Sequence, residues 1–537
     1  MSFASAVDIW AQVPARVSRV ANADQLRKRL GLLPDYAMVR RVEDLKVAVL
    51  DSGFEGIGPD RPYLPANAVV VEHYDPAFVR AFDLGDPEFQ KGFEPGNHHG
   101  REMAQIVWAV TGSRPAGPKF FLLNANGPTM LRRAICRAIV EHVDVILFSG
   151  TFEGGGNGDG HGPINRAVDE ALAAGILWIN AAGNYGRSVF QGPVRPLPDG
   201  QLRFKEKGDI AALRFRNHLD ENTVTVTLTW NDYRDAEDAG TDKDLDLFVE
   251  DWTGRLVGSA TKKQVTWERD AGPDETRNPR ERLVLEDLPA SPELPGRSDV
   301  AYRVRARWKA GRFTPKDRLR VLVTASKPPY VAPGGGLPRE SVEFLDASRQ
   351  AEIFPPADHP LVLTVGDGSP FSSIGPTTDG RPKPDTLLDD STIYFTDGTV
   401  SGGSSNAAAC FAGLVALMKA VEPGLKVSHL LWLARSEPHA LTPREPRYQN
   451  ALETTPPPRA VVRDTTIMDG VRPLNATSLT IFPSGRMLRS LAPETTVARV
   501  DRPVAPPPPA DERSTRYARP WRTPSRSRLA DIVRLGR

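Results

Sequence analysis

Short apolar runs alternate with helix-spaced segments from Leu45 to Ala181, at a pace that few folds accommodate. Leu45–Leu50 is a largely apolar run ending at Asp51, and Ala68–Val71, Phe120–Leu123, Val143–Phe148 and Ile176–Ala181 repeat it. Apolar runs of this length read as strands buried on both faces. Between them, His99–Val110, Leu131–His142 and Ile164–Ala174 carry apolar residues at helical intervals, the last stopped by Gly175. Strand and helix in βαβ rhythm predict an α/β fold, a parallel sheet with helices on both faces. The rhythm breaks from about Leu202 to Ser326. There Asn222–Trp230, Leu245–Val249, Arg282–Leu285, Tyr302–Trp308 and Leu319–Thr324 alternate apolar and polar residues with no helix between them. Short alternating strands separated by turn residues predict an inserted β-sandwich. The α/β pattern resumes at His359–Gly366, and Ser404–Val421 reads as a long helix.

A chain of 537 residues is too long for one core, so two or three domains are expected. The expected division is an N-terminal extension (1–40), an α/β part (41–198), the inserted sandwich (199–340), a second α/β part (341–455) and a C-terminal extension (456–537). The extension from 456 holds Pro456–Pro458 and Pro506–Pro509, and from Asp501 onward nine arginines stand against four acids. It reads as partly disordered, with partner docking as the alternative. Charged residues make up 25% of the chain and the formal net charge is +1, so a nucleic-acid partner is not expected. Two cysteines, Cys136 and Cys410, lie in apolar helix-like runs; they read as buried thiols, with no disulfide framework or CxxC metal pattern. Residues 1–20 contain no uninterrupted apolar core of a secretion signal, and no stretch approaches 18 apolar residues. A cytoplasmic location without a membrane span is therefore the expectation.

Four glycine-punctuated segments carry the chemistry. They are Val47–Gly53, holding Asp51; His99–Ala104, led by His99; Ala181–Asn184; and Gly403–Ala409, holding Ser405. An acid, an imidazole, an amide and a hydroxyl in such settings are the parts of an acyl-transfer site: base orienter, base, oxyanion donor and nucleophile. Asp51 follows a buried strand directly, where parallel sheets place their sites; taken alone it reads as a turn cap before Gly53. A serine hydroxyl is a poor nucleophile until a base takes its proton, and a helix start favours negative charge nearby.

These segments resemble the subtilisin family of serine peptidases (subtilases), marked by Asp-Ser/Thr-Gly, His-Gly-x-x-x-Ala, a Gly-Asn pair and Gly-Thr-Ser-x-Ala-x-Pro, in that order. The resemblance covers roughly residues 40–195 and 350–440, and Gly380–Asp385 also looks like a family segment. It implies a subtilisin-like fold and a serine endopeptidase acting through Asp51, His99 and Ser405, with an acyl-enzyme intermediate and Asn184 in the oxyanion hole. The motif register selects Ser405 over Ser404 and His99 over His98. Ala409 stands where the family has proline, and Arg101-Glu102 where it usually has Thr-His; neither change removes a reactive group.

The likeness also implies substrate edges. Ser149 and Gly150 look like the family's Ser-Leu-Gly edge, with Gly150 in the place of leucine, and Asn124 to Gly127 are the candidate opposite edge. A peptide clamped between them would be bound by strand addition. The loop Glu153–Gly162 reads as flexible, with selection of a basic substrate residue as the sharper alternative. Leu228–Asp232 and Asp244–Leu247 look like the jelly-roll modules many subtilases carry. No metal ligand is assigned and no cofactor is required. Calcium is possible at Asp232, Asp242, Asp244 and Asp246, which lack EF-hand spacing and read as a solvated acidic loop. Partners are protein or peptide substrates and, in a partner-gated bacterial defence or signalling role, a regulator such as an ATPase. A dead peptidase fold serving as a scaffold is the remaining alternative. The Gly31–Tyr36 segment or the C-terminal tail is a candidate for blocking the cleft.

Overall fold

The computed structural model describes residues 19–30, 32, 42–55, 57, 64–112, 117–235, 239–266, 271–292, 300–330 and 340–435. Most of Gly31–Tyr36, both proline runs and the arginine-rich tail lie outside the described residues. The first block contains α1 (Ala23–Arg29), β1 (Lys46–Asp51), β2 (Val69–Val71), α2 (Pro76–Ala81), α3 (His99–Thr111), β3 (Lys119–Asn124), α4 (Pro128–Val140), β4 (Val145–Phe148), α5 (Pro163–Ala173) and β5 (Leu177–Ala181). Its helix boundaries follow local chemistry. Both α4 and α5 begin on a proline after a glycine, Gly127 and Gly162, and α3 stops at Gly112 with φ 114°. Proline suits a first turn whose N–H is unpaired anyway, and glycine tolerates the left-handed turn that ends a helix. Asp75 caps α2 by accepting from Ala77 N at 2.6 Å.

The chain then runs through β6 (Val189–Pro193), β7 (Leu213–Asn217), β8 (Asn222–Trp230), β9 (Asp244–Glu250), β10 (Leu256–Ala260), β11 (Lys263–Gln264), β12 (Glu275–Thr276), β13 (Arg280–Leu288), β14 (Tyr302–Ala310), β15 (Arg318–Ala325) and β16 (Val342–Phe344). It closes with β17 (Leu363–Asp367), β18 (Thr386–Leu388), β19 (Ile393–Tyr394), β20 (Val400–Ser401), α6 (Ser404–Val421) and α7 (Val427–Arg435).

Seven strands form one sheet in the order β18-β17-β5-β4-β1-β3-β2. Every pairing in it is parallel. Its central strands are buried on both faces, as their apolar runs require: β4 and β5 have no exposed residue. This is the α/β architecture expected from the alternation, and it agrees with the subtilisin-like fold that the motif resemblance implies. The order reverses at β1, with β3 on one side and β4 on the other. In open parallel sheets the crevice at such a switch point, beyond the carboxyl ends of the strands, is where ligands bind.

Between β5 and β17 lie two larger antiparallel sheets, β10-β9-β14-β7-β16 and β13-β8-β15-β6. Alternate residues from both enter one apolar cluster, including Phe215, Leu247 and Val304 from the first and Val226, Leu228 and Val321 from the second. Strands β6 and β16 fall outside the 199–340 span yet belong here. β6 pairs with β15 and β16 with β7, and neither short strand stands out by composition.

Helix α6 is long and apolar enough by composition to cross a membrane, but 89% of it is buried inside the fold, as in the core helix of a soluble domain. It packs against α3 so closely that a Cβ on Gly413 would fall 2.6 Å from Val110 Cβ. Cys136 and Cys410 are free and buried, and burial pushes both thiols up to about 12.

Candidate active site

The carboxyl ends of β1, β4 and β5 and the N-terminal ends of α3 and α6 meet at the switch point. Asp51 is the last residue of β1. Its Oδ2 lies 2.8 Å from His99 Nδ1, and its Oδ1 accepts from Gly53 N at 2.8 Å. A carboxylate only accepts, so Nδ1 carries the proton and Nε2 is left as the basic nitrogen of the neutral ring. His98 points elsewhere, with Nδ1 3.0 Å from the Glu55 carbonyl. The Asp51 side chain is 8% exposed and that of His99 37%, so the acid is sheltered while the imidazole reaches the surface. Burial is the largest single influence on His99 and lowers its pKa. The charge and hydrogen bond of Asp51, helped by Glu102 and Glu94, outweigh it and raise the pKa above the usual histidine value.

A glycine and an asparagine make this approach possible. Asn97 Oδ1 accepts from His99 N at 2.9 Å, fixing the start of α3. A Cβ on Gly100 would fall 2.5 Å from Asp51 Cβ and 2.6 Å from the Phe54 ring, so only glycine lets the helix sit on the strand end. Gly100→Ala is expected to destabilise the fold by roughly 1–3 kcal/mol, the usual penalty for overpacking. It should lower turnover by more than that loss of stability explains, because the displaced atoms are those of the Asp51–His99 pair. Thermal melting and turnover measured on the same protein check both.

Ser405 is the second residue of α6 and is buried, 8% exposed. Its Oγ donates to the Ser149 carbonyl at 3.3 Å, and Ser149 Oγ donates to the Ser405 carbonyl at 3.4 Å. No hydrogen bond joins Ser405 to His99 in this resting arrangement. Gly403, the residue before the helix, has φ 96°, a conformation glycine adopts without strain.

Asn184 follows β5 and faces this turn. Its Oδ1 accepts from Ser404 N at 3.1 Å and from Ser404 Oγ at 3.0 Å. Ser404 Oγ in turn accepts from Gly183 N at 3.1 Å. A backbone N–H can only donate, so the amide oxygen is locked toward Ser404 and Nδ2 is the group left to donate outward. Ser404, set aside at the sequence level as the wrong register for a nucleophile, is thus the residue that orients Asn184. Its adjacency in Gly-Ser-Ser was the available signal.

Of the proposed substrate residues, Ser149 and Gly150 lie beside Ser405, and the Gly150 carbonyl accepts from Asn180 Nδ2 at 3.0 Å. Gly127 caps α4 with open space around its Cα. Asn124 is placed differently. It is fully buried, its Nδ2 donates to the Glu72 and Lys91 carbonyls at 2.8 and 2.6 Å, and its Oδ1 accepts from Asn126 N at 3.0 Å. Its side chain therefore pins the loop beyond β3 and, fully buried, is not presented to a substrate.

The acidic group considered for calcium is dispersed. Asp232 pairs with Lys243 at 2.9 Å, the same lysine holds Asp317 at 2.7 Å, and Asp246 faces Lys309 at 3.3 Å. Burial, with the neighbouring Asp246 charge, pushes Asp244 up to about 6. Among the described residues no group of three or more His, Cys, Asp or Glu side chains is placed to share a metal ion.

The model of the subtilase family matches residues 43–456. Solved structures similar to this chain are peptidases. The CspB protease of Clostridium perfringens is 15% identical, over 75% of this chain and 90% of that one, with a TM-score of 0.44. The prenylagaramide maturation protease PagA is 13% identical over 75% and 88%, TM-score 0.32. MycP1 from Mycobacterium smegmatis is 15% identical over 74% and 76%, TM-score 0.29. No curated protein sequence matches the chain. Since the family match spans most of its length and takes in every segment that builds this site, the chain belongs to the subtilase family and is a subtilisin-like serine endopeptidase.

Proposed function

We propose that the chain hydrolyses peptide bonds in protein or peptide substrates through an Asp51–His99–Ser405 triad and an acyl-enzyme. The observation that carries this reading is the 2.8 Å contact between His99 Nδ1 and Asp51 Oδ2, at the same sheet edge as the N-terminal turn of α6. Ser405 Oγ leaves the Ser149 carbonyl by rotation about its Cα–Cβ bond and gives its proton to His99 Nε2 as it attacks the scissile carbonyl carbon. Catalytic hydrogen bonds are often loose in an empty site and tighten with substrate bound. The carbonyl oxygen becomes an oxyanion, held by Asn184 Nδ2 and the unpaired N–H of Ser405 at the helix start. His99 then returns the proton to the departing amine. Water, deprotonated by the same nitrogen, attacks the ester and releases the acid. Asp51 keeps the imidazole in the tautomer that both steps use and stabilises its charged form. Ser149–Gly150 supplies the edge along which substrate backbone adds as a strand. All these steps use side chains, backbone and water, and no cofactor is assigned to them.

The test is covalent labelling by a fluorophosphonate. Wild-type protein and Ser404→Ala are expected to label, and Ser405→Ala is not. Label retained in Ser405→Ala would overturn the assignment. Asn184→Ala is expected to lower kcat by about 100- to 1,000-fold with little change in KM, because its amide meets a charge present only in the transition state. Steady-state kinetics on a peptide substrate measures the split.

A further inference from the structure

The glycine-rich loop 152–162 begins close to Ser149, against Ser405, and it is tied to β15 of the four-stranded antiparallel sheet and to the turn that follows β8. Asn157 exchanges two hydrogen bonds with the backbone of Tyr233, just past β8. Its Nδ2 donates to the Tyr233 carbonyl at 3.0 Å and its Oδ1 accepts from Tyr233 N at 2.8 Å. Gly162 N donates to Asp235 Oδ1 at 3.0 Å. From β15, Arg320 reaches in, with only 5% of its surface exposed. It donates to the Gly156 carbonyl at 3.3 Å and to the Ile353 carbonyl at 3.0 Å. The loop's glycines make room for these visitors: a Cβ on Gly158 would fall 2.8 Å from Arg320 Nη1, and one on Gly154 would fall 3.1 Å from the Tyr233 hydroxyl. The loop read from its sequence as flexible is therefore clamped.

A second connection runs from Arg320 to the other wall of the site. Its guanidinium lies 4.4 Å from the centre of the Phe354 ring. Phe354 meets Tyr185 edge to face at 5.2 Å, and Tyr185 directly follows Asn184. The Tyr185 hydroxyl is 3.2 Å from Thr151 Oγ1 and 3.4 Å from Glu153 Oε1. It thereby joins the segment after Asn184 to the segment after Ser149, the two stretches that flank Ser405.

We propose that Arg320 is a positioning residue through which the inserted sheets set the substrate wall formed by Thr151, Glu153 and Tyr185, making the insertion a determinant of specificity. A guanidinium suits this role because it donates along two directions from one plane while its face stacks on an aromatic ring. Removing it frees the loop at Gly156 and leaves Tyr185 packed against a ring that has lost its support. The chemistry at Ser405 is untouched; the fit of the residue beside the scissile bond is not. A site built to hydrogen-bond a substrate discriminates strongly, and loosening it costs discrimination first.

The proposal rests on Ser405 being the nucleophile, so the experiment reads both. Full-length wild type, Arg320→Met and Tyr185→Phe are assayed on a library of tetrapeptidyl aminomethylcoumarins varied at the residue before the scissile bond, alongside the rate of fluorophosphonate labelling. Arg320→Met is expected to raise KM about tenfold and flatten the preference among library members, with kcat and the labelling rate falling far less. Tyr185→Phe, which removes one oxygen and keeps the ring, is expected to flatten the same preference and decides the matter if Arg320→Met does not fold. An unchanged preference in both folded variants overturns the proposal. So does a parallel fall of labelling and peptide turnover in Tyr185→Phe, which would mark a merely structural role. A wild type that takes no label overturns the Ser405 assignment itself, and the proposal falls with it.

Discussion

Ser405→Ala is expected to lower turnover by about a million-fold, leaving only the residual rate that binding and oxyanion stabilisation provide. The size of the loss follows from what the hydroxyl does. Without Oγ there is no acyl-enzyme, and His99 must activate a water that nothing holds in line with the carbonyl carbon. Changing His99 as well should add almost nothing, since base and nucleophile act as one unit. The fold should survive, because the change removes a single oxygen whose one hydrogen bond, to the Ser149 carbonyl, is 3.3 Å long, and the bond from Ser149 Oγ to the Ser405 carbonyl remains. Turnover and melting temperature measured on Ser405→Ala, His99→Ala and the double variant check this. A double variant much slower than either single one would contradict the shared role.

Asp51→Asn is expected to lower kcat by about ten-thousand-fold while leaving the outline of the site in place. An amide at this position can present its N–H to His99 Nδ1, which turns the ring to the tautomer whose Nε2 is protonated and no longer a base. The change also leaves a signature in pH. Catalysis needs neutral His99, so wild-type kcat/KM should rise as pH rises through the pKa of His99, which Asp51 holds above the ordinary value. With the carboxylate gone, burial dominates and the rising limb should move to lower pH. Stability carries the opposite sign. A histidine whose folded pKa is raised adds stability that is fully present below its unfolded pKa and lost as pH climbs through the folded one. Wild type should therefore lose this contribution on going from mildly acidic to neutral conditions, and Asp51→Asn should not. A pH–rate profile and melting curves across that range measure the two shifts, and an unmoved limb in Asp51→Asn would sink the account.

The residues of the proposed triad are legible in the chain because each sits where local sequence dictates structure. A largely apolar run must be a buried strand, so Asp51, which ends one, had to emerge at a sheet edge. A glycine before a helical run marks its start, so Ser405 had to stand at a helix beginning, and His99 leads a run with helical spacing of apolar residues. The role of the Asn124 side chain is not legible in this way: an asparagine after a strand looks the same whether its amide faces outward or meets three backbone groups, and only packing distinguishes the two. Ser404 was passed over because register arguments choose a nucleophile without asking what the neighbouring hydroxyl binds. The ends of the two-sheet segment were missed because β6 and β16 are short, and a strand of three to five residues is specified by its partner more than by its own pattern.

By itself, the order of residues determined the α/β class, the break into antiparallel strands and the identity of an acid, an imidazole and a hydroxyl suited to acyl transfer. These depend on periodicity and on side-chain chemistry, which are properties of local sequence. Tertiary structure alone decided that Asp51 meets His99 at hydrogen-bond distance, that Ser404 turns the Asn184 amide outward, and that Arg320 ties the four-stranded antiparallel sheet to the loop beside Ser405. Each of those contacts joins residues far apart in the chain. Their formation depends on how close two backbones can come, as at Gly100 and Gly413, and on which buried polar groups remain to be satisfied once the core has closed.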